Sequence, residues 1–175
     1  REPSPKVRAQ IAEVLGALGG DVARETLQRL VAVDPGAEVR ARAAIALGRL
    51  RGPGSRLLLV ERLAQEADLE ARAALLQGLG LLGDAEAFPT VLSVFVTEAD
   101  PRLAISAALA LGRLGDPRAT IPLITALEDR SRDPSVRQAV ALALAWLRDP
   151  AAISALERLL AESDVVIVVL GVRAL

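Results

Sequence analysis

The segment DPRLAISAALALGRLGDPRATIPLITAL, residues 100–127, predicts two short helices joined by a tight turn. Asp100 is a good N-cap because its carboxylate can accept from the unpaired N–H groups of the first helical turn. Pro101 suits the next position because its φ is already helical. The run Gly115-Asp116-Pro117 ends the first helix and caps the second in the same way. One hairpin of this kind cannot bury its own apolar stripes, so it requires similar neighbours.

The same pattern returns along the chain every 32 or 33 residues. The motif Leu-Gly-x-Leu begins at residues 15, 47, 79 and 111, and a copy with Ala for Gly begins at residue 144. Features that share one period indicate an array of structural repeats. The predicted repeats span about 4–34, 35–67, 68–99, 100–132 and 133–163, with a partial repeat at 164–175.

This repeat resembles the short bacterial HEAT-like repeats, the type named after phycobilisome lyases. Its markers are Asp-Pro-x-Val-Arg at residues 133–137, the run Ala-Leu-Gly-x-Leu-Gly-Asp at residues 110–116, and a Leu-(Leu/Ile)-x-x-Leu pattern in the second helices. The resemblance covers nearly the whole chain. It implies an all-α fold, a right-handed α–α superhelix (a HEAT-like α-solenoid) of about five helical hairpins plus one terminal helix. We expect it to form a single domain over residues 1–175.

Composition excludes most enzyme classes. The 175 residues include no His and no Cys, which removes most transition-metal sites and the common His-based and Cys-based catalytic arrangements. We therefore predict no enzyme activity, no cofactor and no metal. The net charge of −1 supplies no field that would attract nucleic acid or an anionic membrane. Six aspartates are predicted to act as helix caps rather than as catalytic groups: Asp68, Asp84, Asp100, Asp116, Asp133 and Asp149.

Four arginines recur in the first turn of first helices, which is the unfavourable end of a helix for a cation. They are Arg8, Arg40, Arg72 and Arg137. We expect acidic residues of adjoining turns to compensate each of them in a stacked ladder. A row that binds phosphate is the alternative.

The second helices of an α-solenoid usually line its concave face, which suits partner binding. When the five second helices are aligned with that of residues 100–127, their outward positions are charged in the helices near the ends of the array. In the middle helices these positions are mostly apolar or neutral. A peptide helix with apolar anchors would fit such a groove. An alternative reading places Leu57 and Ile121 between helices. The predicted partner-binding residues are Leu57, Glu61, Pro89, Ser93, Ile121 and Thr125.

Trp146 occupies the variable position of the Leu-Gly-x-Leu motif, where two other repeats have Arg49 and Arg113. A position that accepts arginine twice is expected to be at least half exposed, so Trp146 is a further candidate anchor for a partner. The alternative is a Trp folded over a repeat junction. Phe88 and Phe95 fall at positions predicted to be buried.

The C-terminal segment DVVIVVLGVRAL, residues 164–175, keeps the repeat frame and is interpreted as the first helix of a sixth repeat, with a β-strand as the alternative. Its apolar run, Val165–Val172, is too short to cross a bilayer. Such a helix would lack its second half, so we expect self-association through Val165–Leu175, or cover from another part of the parent protein. No signal peptide or transmembrane segment is seen, which favours a cytoplasmic location.

The function predicted from these observations is a non-enzymatic protein–protein interaction scaffold that presents a concave helical surface to a protein partner or peptide helix. The resemblance alone implies a rival function, that of a lyase-type or chaperone-like protein acting on a tetrapyrrole-carrying protein.

Overall fold

A computed structural model describes residues 3–160 of the chain. These residues are helical over 82% of their length and contain no strand, which confirms the predicted all-α helical-repeat solenoid. The ten α-helices of residues 3–160 are α1 (Pro5–Leu18), α2 (Asp21–Val33), α3 (Ala37–Leu50), α4 (Ser55–Gln65), α5 (Leu69–Leu82), α6 (Phe88–Thr97), α7 (Pro101–Leu114), α8 (Thr120–Glu128), α9 (Pro134–Leu147) and α10 (Ile153–Leu160).

The predicted caps begin the first helices. The side chain of Ser4 accepts a hydrogen bond from the backbone N–H of Val7, and Asp68 accepts from Ala71 in the same way. Gly36 precedes α3 and supplies no side-chain cap. Local cap chemistry therefore marks the start of the repeats that begin with Ser or Asp.

The second helices of the last three repeats begin differently from the prediction. A 3₁₀ turn precedes α6, α8 and α10, at Ala85–Ala87, Pro117–Ala119 and Pro150–Ala152 respectively. The preceding aspartate caps this 3₁₀ turn rather than the α-helix, as when Asp116 accepts from the N–H of Arg118 at 2.9 Å. In two of the three turns the first position is a proline, Pro117 or Pro150, which is tolerated there because an N–H at that position would have no intrahelical partner.

The turn that joins α3 to α4 in the second repeat contains two left-handed residues. Arg51 adopts the left-handed conformation with φ of 49°, and Gly54 does so with φ of 75° just before α4. A left-handed residue ends α3, and a second one redirects the chain into α4. Glycine is favoured at such a position because it has no Cβ to clash with the backbone.

The chain divides into two compact units, Arg1–Ala87 and Phe88–Leu175. The boundary lies inside the third repeat, so α1–α5 belong to the first unit and α6–α10 to the second. In the first unit, α3 packs between α1 and α5, while α2 contacts α3 and α4 contacts α5. Leucines on these helices are fully buried and form the core of the unit: Leu27, Leu47, Leu59, Leu75 and Leu79.

The closest helix crossing of the first unit joins α3 to α5 through glycine. A Cβ built on Gly48 would lie 2.8 Å from the Cα of Gly78, and one built on Gly78 would lie 2.6 Å from the carbonyl oxygen of Ala44. Both distances are too short for real atoms, so the two backbones approach as closely as they do only because side chains are missing there.

In the second unit, α7 packs on α6 and α9, while α8 contacts α9 and α10. Phe88 and Phe95 are buried at 4% and 1% exposure, which confirms the prediction for both. Gly112 repeats the close crossing, because a Cβ built on it would lie 2.7 Å from the Cα of Ala143. The small residues of the repeat motif thus serve helix stacking in both units.

Within residues 3–160, no helix combines the length and apolar character that crossing a bilayer requires. The predictions for residues 164–175, a helix of a sixth repeat and self-association through Val165–Leu175, concern residues outside the described range.

Candidate partner-binding surfaces

The first unit exposes a row of side chains on its second helices. Leu57 on α4 is 56% exposed, and Glu61 lies exposed one turn further along the same helix. The neighbouring α2 exposes Glu25 and Arg29 at the corresponding positions, 32 residues earlier. The repeat alignment therefore predicts the outward positions of α4 correctly, and Leu57 does not lie between helices.

The second unit exposes the remaining candidates. Pro89 and Ser93 are exposed on α6, and Ile121 on α8 is 66% exposed. Thr125 is also exposed, and its hydroxyl donates to the carbonyl oxygen of Ile121 at 3.0 Å, within its own helix. The alternative that placed Ile121 between helices is wrong. The binding role of these residues stays a prediction.

Charged groups flank the exposed surface of α8. Glu128, at the last turn of α8, pairs with Arg158 of α10. The two helices are neighbours in the second unit, so this pair lies at the charged end that the sequence frame predicts. Charges at the rim of a surface affect a partner's approach and orientation more than its affinity.

Sequence reasoning missed one member of this surface, Val96. It is 59% exposed on α6 and follows Pro89 by seven residues and Ser93 by three. These spacings place the three residues on one face of a helix. The spacing of Val96 from Pro89 and Ser93 can be read in the sequence, but the repeat alignment considered only two outward positions on each second helix.

Trp146 is less exposed than expected. Its side chain on α9 is 38% exposed, because the guanidinium of Arg113 on α7 lies 4.7 Å from the ring centroid. A cation over an aromatic face is attracted by the ring's electrons. The prediction of at least half exposure is therefore wrong, and the alternative of a Trp folded over a repeat junction describes the geometry better, since Arg113 belongs to the preceding repeat. The role of Trp146 as an anchor for a partner stays a prediction.

The arginines of the first turns form the predicted structural ladder at two positions. Arg8 donates twice to Asp34, at 2.8 Å each, and Arg40 donates twice to Glu66, at 2.7 and 2.8 Å. In each pair the acid follows the arginine by 26 residues and ends the second helix of the same repeat. At Arg8 and Arg40, the ladder therefore replaces the alternative of a row that binds phosphate.

The pair of Arg40 and Glu66 is deeply buried. Arg40 also donates to the backbone carbonyls of Asp34 and Pro35, and Glu66 accepts from Arg62. The hydrogen bonds from Arg40, more than any other contact, lower the pKa of Glu66 to about 2. This network ties the end of α2 to the end of α4.

Arg137 uses a different partner in the second unit. Its Nε donates to the carbonyl oxygen of Leu127, at the end of α8, at 2.8 Å. A cation at a helix C-terminus interacts favourably with the unpaired carbonyls and the dipole there. In these three cases an arginine of a first helix contacts the end of a second helix, which belongs to the same repeat at Arg8 and Arg40 and to the preceding repeat at Arg137.

Carboxylates, the main potential metal ligands of a chain without His or Cys, form no cluster of three in the described residues.

A family model described as HEAT repeats matches residues 1–80, 57–132 and 99–175 of the chain. These matches overlap and together include every residue. No curated protein sequence matches the chain significantly. The narrower phycobilisome-lyase type, and a bacterial source, stay predictions.

Proposed function

Because the chain belongs to the family of HEAT repeats, we propose that it is a non-enzymatic scaffold that binds a protein partner. The observation that carries this proposal is the exposed apolar side chain of Ile121, at 66%, on a helix that is otherwise well packed. Ile121 lies on the outward face of α8, where no structural role accounts for a large apolar residue. Isolated exposed residues are common, but here Pro89 and Val96 on α6 add apolar surface within the same unit.

The partner proposed is an amphipathic helix or an extended peptide with apolar anchors. Such a segment would bury its apolar face against α6 and α8, with Ile121 as the central contact. Thr125 on α8 and Pro89 and Ser93 on α6 are exposed neutral residues of the same unit, so they would leave no unpaired charge under the partner. In the first unit, Leu57 and Glu61 supply a second surface of the same kind.

The experiment compares two variants in a pull-down from the source cell. Ile121→Asp should remove the captured partner, with a loss of about 2 kcal/mol or more in binding, the scale of a central interface residue. Arg49→Gln, on α3, makes the same change in net charge at an exposed first-helix position and should keep the partner. Both variants should keep the wild-type melting temperature, because both side chains are exposed. Capture that survives Ile121→Asp and fails with Arg49→Gln would place binding on the first helices.

The resemblance to phycobilisome-lyase repeats supports a narrower alternative, a lyase-type or chaperone-like role on a tetrapyrrole-carrying protein. Its support is the motif Asp-Pro-x-Val-Arg at residues 133–137 and its copies. A visible absorbance change when the protein is mixed with a free linear tetrapyrrole would favour this alternative. Unchanged pigment spectra, together with a captured protein partner, would favour the scaffold.

A further inference from the structure

The outer face of α1 carries an apolar stripe that no described element covers. Val7, Ile11, Val14 and Leu18 are 49%, 42%, 48% and 76% exposed. They follow one another at spacings of four, three and four residues, so they lie along one side of the 14-residue helix. This stripe is separate from the second-helix surfaces proposed above to bind a partner.

In the other first helices, the positions that correspond to this stripe carry smaller residues, which let a neighbouring first helix approach more closely. At the two central positions of the stripe, those helices have at least one Ala or Gly: Ala43 and Ala46, Leu75 and Gly78, Ala107 and Ala110, Val140 and Ala143. These small residues take part in the close crossings described above, where Gly48 meets Gly78 and Gly112 meets Ala143. They allow one first helix to stack on the preceding one.

Only α1, among the five first helices of the described chain, has large residues at both central positions, Ile11 and Val14. The branched side chain of Val14 stands where Gly78 and Ala46 permit close approach. A helix that meets α1 must therefore stay at an ordinary interhelical distance of about 8–10 Å. At that distance large side chains interlock, and a partner helix with small residues would leave gaps.

We propose that this stripe joins two copies of the chain through α1, about a two-fold axis. A second copy supplies what the stripe needs, because its own α1 presents the same four large residues. Spacings that alternate between four and three residues, so that Val7 and Val14 and likewise Ile11 and Leu18 lie seven residues apart, are those of a helix seam that packs knobs into holes. A two-fold interface uses the same patch on both subunits, and it is the commonest arrangement of soluble oligomers.

An antiparallel pairing of the two helices centres the axis between Ile11 and Val14. Ile11 of one copy then packs on Val14 of the other, and Val7 packs on Leu18. In this orientation the N-terminus of each helix lies beside the C-terminus of the other, so the two helix dipoles attract each other. The two Lys6 side chains, which a parallel pairing would bring together, are then far apart. Lys6 is exposed beside the stripe.

The size of the contact sets its strength. A helix of 14 residues is about 21 Å long and about 10 Å wide, a footprint of roughly 200 Å² for each copy. Stable dimers bury about 800 Å² for each partner, so the contact belongs with weak, reversible associations. We therefore expect dimers of the full chain to form only at high protein concentration.

Sedimentation of the 175-residue chain at concentrations up to about 1 mM tests the proposal. All proteins carry Val166→Glu, so that any association through Val165–Leu175 is suppressed. The background protein should form dimers, and Val14→Asp should weaken them at least about a hundredfold because the two-fold axis brings two carboxylates together. Circular dichroism should show the same helix content for both. A monomer at every concentration, or a dimer unaffected by Val14→Asp, would overturn the proposal.

Val14→Ala separates this proposal from a stacking surface for another repeat helix. The smaller side chain should weaken the dimer roughly tenfold, because each copy loses apolar contact. Tighter association of Val14→Ala would show that the face is built for close helix stacking, and it would contradict the proposal.

Single cysteines test the orientation, since the chain has none of its own. In the antiparallel pairing the two copies of residue 14 lie about 4.5 Å apart along the helix axis, and those of residue 18 lie about 16 Å apart. A short bis-maleimide should therefore crosslink Val14→Cys much faster than Leu18→Cys. Leu57→Cys, exposed on α4, is the matched control and should stay monomeric. Equal rates at residues 14 and 18 would refute the antiparallel arrangement, and crosslinking of Leu57→Cys at the rate of Val14→Cys would refute the α1 contact.

Discussion

The glycine crossing of α3 and α5 predicts that Gly48→Ala destabilises the protein. In most helices the same change is stabilising by about 1 kcal/mol, because Gly loses more backbone entropy than Ala on folding. Here the new Cβ would lie 2.8 Å from the Cα of Gly78, whereas ordinary contacts of a Cβ begin at 3.4 Å. The atom it meets is backbone and cannot rotate away.

The magnitude follows from the separation required. Restoring ordinary contact means moving α3 and α5 apart by about 0.6 Å, the difference between 2.8 and 3.4 Å, which loosens the packing around the buried Leu47 of α3 and Leu75 of α5. Overpacking a well-filled core costs about 1–3 kcal/mol, and a clash of two backbones belongs at the upper end. Subtracting about 1 kcal/mol of gained helix propensity leaves a net loss of about 2 kcal/mol. For a chain of this length, that corresponds to a melting temperature lower by roughly 4–8 °C.

Thermal and urea unfolding followed by far-UV circular dichroism would measure this loss. The matched control is Ala145→Gly, the reverse change at the same motif position of the fifth repeat, where Ala145 is only partly buried. It should lose about 1 kcal/mol through helix propensity alone. A melting temperature of Gly48→Ala above that of the wild type would refute the argument, because helix propensity would then outweigh the crossing.

Three further predictions concern buried and covered side chains. Glu66→Gln should destabilise the protein by about 3 kcal/mol, because it removes the carboxylate that pairs directly with the buried Arg40, whereas the exposed Glu61→Gln should be nearly neutral in the same urea titration. The lowered pKa of Glu66, about 2, stabilises the fold fully above its ordinary pKa of 4.5, so the unfolding free energy should fall as pH drops from 4.5 towards 2, and less steeply in Glu66→Gln. Arg113→Gln should uncover Trp146, so that acrylamide quenches its fluorescence more strongly at a stability loss of about 0.5–1 kcal/mol. Unchanged quenching in Arg113→Gln would show that the stacking does not shield the ring.

The sequence by itself determined the repeat period and the caps of most first helices. The predicted repeats at 4–34 and 68–99 begin at Ser4 and Asp68, whose side chains cap α1 and α5. These features depend on hydrogen bonds between residues two to four positions apart, which is why local chemistry suffices for them. The 32-residue frame then placed Ile121 correctly on an exposed face.

Only the tertiary structure decided which distant side chains meet. Arg8 finds Asp34 across 26 residues, and Arg113 covers Trp146 across 33. No local rule selects these partners, because each depends on how closely successive helices stack. That closeness is set by whether a helix places a small residue such as Gly48 or a branched one such as Val14 at its crossing point, and the effect of either appears only when a second helix is brought against it.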